Sequence, residues 1–552
     1  MASSSSALDA LASVPVAGPA PGPAAAGRRP PRRLVALATA VGVVFLGPFL
    51  YVVWRNVDLG TDLGSLLWSR GTWDPLRRSL WLGVVVAVSA AVVGTGLAWL
   101  TIRTDLPGRR FWRILAPLPL VFPSFVGATA LIAGFANGGL VAELVAPLGI
   151  DTLPDMRGFR GAWLVLTLFT YPYVYLPVAA RLGSLPPSLE ESARILGRAP
   201  AAVFRTVVLP QITSAVWAGT LLVFLYTISD FGAVTLLGYD TLTEQIYADK
   251  LFDQPRAMGL ALVLGGVALA VVVAERALDR RRRRIEVVRT RDPLIVALGR
   301  WRWPALVAVA GFLGNALLGP VAVLAFWAWR GFTAEVASIG LSTDLGGLLW
   351  PTVHSAQAGL VTAIVAVAVV MPVAWLTARY RSRLGGAANS MVVAGFALPG
   401  VVTALSLVFW AIDAPIIERW YQTLPLLIVA YVLHFGAQAT RAAHVAVGAV
   451  PARLGDAAAT LGARRTRRFL TVELPLMTPG LFAGAGLVML STMKELPATL
   501  LLAPIGFDTL ATEIWGAGER GALAQGALAS LVLVALSAVL TWAVVLRRLE
   551  HY

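Results

Sequence analysis

This sequence predicts an all-α polytopic membrane protein, with about twelve transmembrane helices arranged as two homologous halves of six. Three observations predict it. The chain of 552 residues is 57% hydrophobic and 14% charged, with a mean hydropathy of +0.75. Soluble domains carry roughly 25% charged residues, so most of this surface faces lipid. Twelve apolar stretches approach the roughly 20 residues needed to cross a bilayer as a helix. Finally, one polar segment is written twice at a constant displacement of 265 residues, the mark of an internal duplication.

Taken in order, residues 1–33 form a basic tail, Ala/Ser/Pro/Gly-rich up to residue 27 and expected to be disordered on the cytoplasmic side. The first half, 34–274, holds apolar stretches near 34–54, 79–101, 115–136, 161–181, 211–229 and 257–274. Pro117, Pro119, Pro172 and Pro177 interrupt the third and fourth. The stretch at 34–54 follows four arginines with no small-residue cleavage site, so it reads as an anchor that stays. Residues 275–303 form a basic linker. The second half, 304–546, has stretches near 304–329, 354–377, 391–411, 424–444, 476–494 and 524–546, before a tail at 547–552.

The formal charge of +15 is unevenly distributed. With a cytoplasmic N-terminus and alternating spans, inside segments hold 33 of the 45 Lys and Arg, and outside loops hold 11. Basic residues concentrate on cytoplasmic loops of membrane proteins, and here they do so threefold. Both termini are therefore expected inside, and the run Arg280 to Arg284 is expected against anionic lipid. No soluble basic domain is present to bind nucleic acid. The absence of cysteine excludes disulfides, thiolate metal sites and a cysteine nucleophile. Lys250 follows Asp249 and Lys494 follows Met493, so no Gly-Lys-Ser/Thr phosphate loop exists. Energy from ATP would have to come from another chain.

The repeated segment reads Glu191-Ser192-Ala193, three residues, Gly197, nine residues, Val207, one residue, Leu209-Pro210. Its copy is Asp456-Ala457-Ala458, then Gly462, Val472 and Leu474-Pro475 at the same spacing. Both lie on the predicted cytoplasmic side, at about 186–210 and 451–475. Ser188 and Glu191 have capping-box spacing behind Pro186-Pro187, which predicts a helix start. Gly197 and Gly462 would end that helix in the left-handed conformation, and a second short helix would lead into Leu-Pro. The small Ala193 and Ala458 allow a partner's backbone to approach.

This pattern resembles the EAA loop of ABC importer permeases, Glu-Ala-Ala, three residues, Gly, nine residues, Ile, one residue, Leu-Pro, with valine replacing isoleucine in both copies. The resemblance implies that each loop forms a coupling helix docked in a cleft of an ATP-hydrolysing subunit. It implies two copies of that ATPase inside, with ATP and magnesium bound there, and an extracytoplasmic solute-binding protein outside. The chain itself would be a non-enzymatic channel component of the bacterial plasma (inner) membrane, without a cofactor.

A second resemblance concerns the solute. Lys494-Glu495-Leu496-Pro497-Ala498-Thr499, followed by Thr509-Leu510-Ala511, is similar to the ferric-iron permeases of the ABC importers, whose fused two-half layout also fits. The 265-residue displacement pairs Glu495 with Asp230 and Lys494 with Ser229. Ionisable groups at membrane depth are costly and point to function. Asp230, Lys494 and Glu495 are therefore candidate pathway residues, and carboxylates suit a hard cation. The competing expectation is that the two acids lock helix ends, with Glu495 paired to Lys494. His354, His434, His444 and His551 are expected in packing or single hydrogen bonds, and Tyr171, Tyr173 and Tyr175 at the interface. No metal site can be assembled. Permeases for polyamine, thiamine, phosphonate or sulfate share the loop. A gradient-driven transporter, which also uses duplicated six-span halves, and a membrane-embedded enzyme are the rivals of another class.

Overall fold

Lipid offers a backbone no hydrogen-bonding partners, so each apolar stretch satisfies its own amides as a helix. In the computed structural model, residues 30–150, 153–250, 252–281, 294–334, 339–341, 343–380, 382–415 and 418–543 are described. The tail before residue 30, residues 282–293 of the linker and the C-terminal tail lie outside them. The first half contains α1 (Arg32–Asp58), α2 (Arg70–Arg103), α3 (Ser124–Phe135), α4 (Gly158–Gly183), α5 (Pro187–Ile195), α6 (Leu209–Ser229), α7 (Gly232–Leu236), α8 (Leu242–Asp249) and α9 (Gln254–Arg281). The second contains α10 (Arg302–Thr333), α11 (Leu349–Tyr380), α12 (Gly400–Asp413), α13 (Leu424–Ala449), α14 (Ala452–Thr460), α15 (Leu474–Met493), α16 (Pro497–Leu502), α17 (Leu510–Arg520) and α18 (Leu523–Thr541).

Among the described residues ten helices are long and apolar enough to span a membrane, or up to twelve if each of two bent pairs is one span. The stretch at 115–136, expected to be interrupted at Pro117 and Pro119, and the stretch at 391–411, for which no break is expected, are each broken by a sharp bend. Arg109–Val121 meets α3 at 93°, and Arg383–Ala397 meets α12 at 99°. The cause is a proline at each corner, Pro123 and Pro399. The residue before a proline is pushed out of helical geometry, and Phe122 and Leu398 are extended with ψ of 127° and 132°.

The halves interlock. α1 packs on Arg383–Ala397 and α11 of the other half, and α10 reciprocally packs on α3. The Phe45 ring fills the space that a side chain at Gly436 of α13 would need, at 2.1 Å from the Cβ position. On the opposite side, Trp327 Nε1 donates to the Ala133 carbonyl at 2.7 Å. A further repeat, Gly238-Tyr239-Asp240-Thr241-Leu242 against Gly506-Phe507-Asp508-Thr509-Leu510, leads into α8 and α17, with a capping box at Thr509 and no side-chain cap at Thr241. Ser79 Oγ of α2 accepts from the Leu242 amide at 2.9 Å, and Ser355 Oγ of α11 from the Leu510 amide at 2.8 Å.

Candidate functional site

The two repeated loops fold alike. α5 and α14 are nine-residue helices that follow Pro186 and Pro451. Proline suits the entrance because its ring fixes φ and its missing amide loses nothing there. The capping box expected from Ser188 and Glu191 does not form: the helix already begins at Pro187 and neither cap has a side-chain bond. Gly197 and Gly462 stop the helices at φ of +78° and +79°. The chain then folds back, with the Arg198 amide donating to the Ala193 carbonyl at 3.2 Å and the Ala463 amide to the Ala458 carbonyl at 3.0 Å. This is the bond that a left-handed cap makes to the last turn. Each loop next passes through a π-helical turn, Phe204–Val208 or Phe469–Glu473, and enters α6 or α15 at Leu209-Pro210 or Leu474-Pro475.

Glu191, Ser192, Asp456 and Ala457 are exposed, whereas Ala193 is buried and Ala458 half-buried. Beside each glycine stand exposed apolar residues. Ile195 is 85% accessible, Leu196 79% and Leu461 88%. Large apolar side chains so exposed at the end of an otherwise polar helix mark an interaction surface. Glu190, which the spacing pattern passes over, is buried and pairs with Arg103 of α2. Its exposed neighbour Glu191 occupies the motif position.

The second group of residues sits where the halves meet. Asp230 and Glu495 are each 8% exposed, beyond the ends of α6 and α15. Asp230 accepts from the Ala233 amide at 3.0 Å and from Ser124 Oγ at the bend before α3. Glu495 accepts from the Ala498 amide at 3.1 Å. Both carboxylates thereby cap a short helix, α7 or α16. The position matching Ser124, 276 residues on, is Gly400. A Cβ at Gly400 would lie 2.8 Å from Glu495 Oε1 and 3.6 Å from His434 Nε2. The longer Glu495 thus occupies the space that serine fills in the first half.

Lys494 does not pair with Glu495, contrary to that expectation. Its ammonium crosses to the first half and donates to the Leu120 carbonyl at 3.1 Å. The Tyr226 hydroxyl lies within electrostatic reach of both Asp230 and Glu495, and its ring is 5.8 Å from Tyr173. Tyr171 and Tyr175 are spent on packing, bonded to the Ala116 carbonyl and Thr101. His444 bonds Thr377, His354 stacks on Phe507, and His434 Nδ1 is buried without a partner. His551 lies outside the described residues. Among the described residues no three His, Asp or Glu side chains gather as a metal site.

A model of the family "binding-protein-dependent transport system inner membrane component" matches residues 83–284 and 370–549, one copy in each half. The chain belongs to that family. It is the permease of an ABC importer with both halves fused in one polypeptide. Over 93% of its length the permease is 29% identical to the Fe(3+)-transport system permease protein FbpB 2 of Haemophilus influenzae, covering 97% of that protein. It is 24% identical to the probable ABC transporter permease protein y4fN of Sinorhizobium fredii, over 93% of this chain and 95% of the relative. The sulfate transport system permease protein CysT of Salmonella typhimurium matches a single half, at 28% identity over 45% of this chain and 95% of its own.

Proposed function

We propose that this permease carries ferric iron inward from an extracytoplasmic binding protein, driven by two copies of an ATPase subunit that dock on α5 and α14 from the cytoplasm. The docking half of this reading is carried by the two loops, which repeat fold and spacing and expose apolar residues at the same corner. The iron half is supported by the likeness to an Fe(3+) permease along nearly the whole chain. Carboxylate oxygens favour hard cations, which suits Asp230 and Glu495.

The geometry supplies a route for the stroke. A displaced α5 moves α6 through the π-turn, and the far end of α6 holds Asp230 and the cap of α7. In the second half α14 moves α15, which ends at Lys494, Glu495 and α16. Because Lys494 is bonded to Leu120 across the junction, sliding the halves against each other breaks that bond. Rigid halves rocking about a central site are a recurrent way to alternate access.

The test is uptake of radiolabelled ferric iron in cells lacking this chain, with and without its return. Restored uptake is expected. Unchanged iron uptake, with labelled sulfate, thiamine, a polyamine or a phosphonate restored instead, would refute the iron assignment.

A further inference from the structure

The described end of the linker is tied to the end of α2 that meets the first loop. Residues 294–298 run beside Arg103-Thr104-Asp105 as an extended segment. The Val296 amide donates to the Arg103 carbonyl at 2.7 Å, and the Asp105 amide to the Val296 carbonyl at 3.2 Å. The Leu298 amide donates to Asp105 Oδ1 at 2.8 Å, and Thr104 and Val296 form a parallel bridge. Successive side chains of an extended chain point to opposite faces, and here two neighbours wall two different cavities. Val296 lines a cavity of about 290 Å³ together with Trp99, Phe204 and Glu190 of α5. Ile295 lines a separate cleft of about 460 Å³.

That cleft is basic. Its described lining includes Arg109, Arg110 and Arg302 against one carboxylate, Asp105, which the Leu298 amide already engages. Arg109 Nη1 is shut off from solvent and has no hydrogen-bond partner. A buried donor left unmatched is costly, so the cleft favours an incoming acceptor. The forked donors of arginine suit a phosphate, whose several charged oxygens can accept from more than one guanidinium. The volume is that of a ligand cavity. The surroundings indicate where the phosphate comes from. Arg302 opens α10 between Trp301 and Trp303, which are 62% and 66% exposed, and Phe111 beside Arg110 is exposed too. Tryptophan gathers at the boundary between membrane and water. The cleft therefore sits at headgroup level, with bare rings where acyl chains run, and basic pockets so placed hold anionic headgroups.

We propose that this cleft binds the phosphate of an anionic phospholipid through Arg109, Arg110 and Arg302, and that the bound headgroup fixes the linker end 294–298 against α2. Ile295 forms a wall of the lipid cleft, and Val296 directly after it forms a wall of the cavity beside Glu190. Fixing one positions the other, so the lipid composition of the leaflet sets how firmly the ground beside α5 is held. The binding depends on neither the docking of an ATPase nor the identity of the solute.

The test uses the full chain in phosphatidylcholine nanodiscs containing a rising fraction of phosphatidylglycerol. With no native cysteine to remove, a spin label is placed at the exposed Ala297→Cys. The label is expected to slow as phosphatidylglycerol is added. Arg110 and Arg302 are exposed, so Arg110→Gln with Arg302→Gln should melt like the native chain. It should need roughly 30-fold more phosphatidylglycerol for the same slowing, the loss expected for two basic residues at an anionic surface. Arg383→Gln with Arg464→Gln removes the same charge from exposed positions of the second half and should leave the response intact. Inorganic phosphate added to pure phosphatidylcholine discs should not slow the label. A label indifferent to phosphatidylglycerol, or an equal shift in both double variants, would overturn the proposal. Slowing by inorganic phosphate alone would also overturn it, because the ligand would then be a soluble anion and not a lipid.

Discussion

Gly197→Val isolates the conformational demand of the coupling loop. Gly197 sits at φ +78° and nothing lies within 4 Å of a Cβ built on it. The added side chain therefore meets no neighbour, and the whole cost is the left-handed backbone. For an L-residue that costs about 1–2 kcal/mol, and valine, being β-branched, is among the least suited. A penalty of that size in the docked conformation lowers its population by about 5- to 30-fold. The assay is titration of the ATPase subunit onto the full-length permease in nanodiscs. Its Kd should rise by that factor, with membrane abundance and melting of the bundle unchanged. Asparagine visits the left-handed region readily, so Gly197→Asn should lose much less. Gly462 has the same geometry, with φ +79° and open space, and should respond alike. A Kd unchanged by Gly197→Val would refute the reasoning. Equal losses for Val and Asn would show that side-chain bulk, not backbone conformation, is what the partner senses.

Other perturbations follow from the junction. Asp230→Asn keeps the hydrogen bonds but removes the charge, as does Glu495→Gln, so each should lower iron uptake while leaving the melting temperature near wild type. Gly400→Ala drives a methyl to 2.8 Å from Glu495 Oε1 and should depress uptake. Adding Glu495→Asp shortens the acid and should restore it. Lys494→Met removes the bond to Leu120 and should raise substrate-independent ATP hydrolysis in the reconstituted complex. Gly219→Ala places a Cβ 2.7 Å from both the Tyr173 carbonyl oxygen and Val174 Cα. Backbone cannot yield there, so overpacking should cost about 1–3 kcal/mol, visible as a lowered melting temperature in detergent.

The membrane class, the duplication and the two loops were legible because each is a periodic or repeated signal. Glycine 197 and 462 announced their conformation because few other residues adopt it. The two corners were harder to read: Pro123 and Pro399 lie within apolar stretches that hydropathy runs together. The single displacement of 265 also hid the equivalence of the early spans. The first half has extra chain around Leu140–Val145, so residues before it match at 276. That shift conceals the pairing of Ser124 with Gly400. Glu190 was overlooked because burial, unlike spacing, is a property of the folded chain. Lys494 sits beside Glu495 in sequence, yet its side chain points across the junction, which adjacency alone does not reveal.

The central claim is that ATP-derived force enters at both loops. The most direct measurement is cross-linking from Ile195→Cys and Leu461→Cys in the assembled transporter. Both positions should trap the same nucleotide-binding subunit, in a manner that changes when ATP is added. If neither position traps such a subunit while iron uptake continues and tracks an ion gradient, the loops are ordinary connections and the account is wrong.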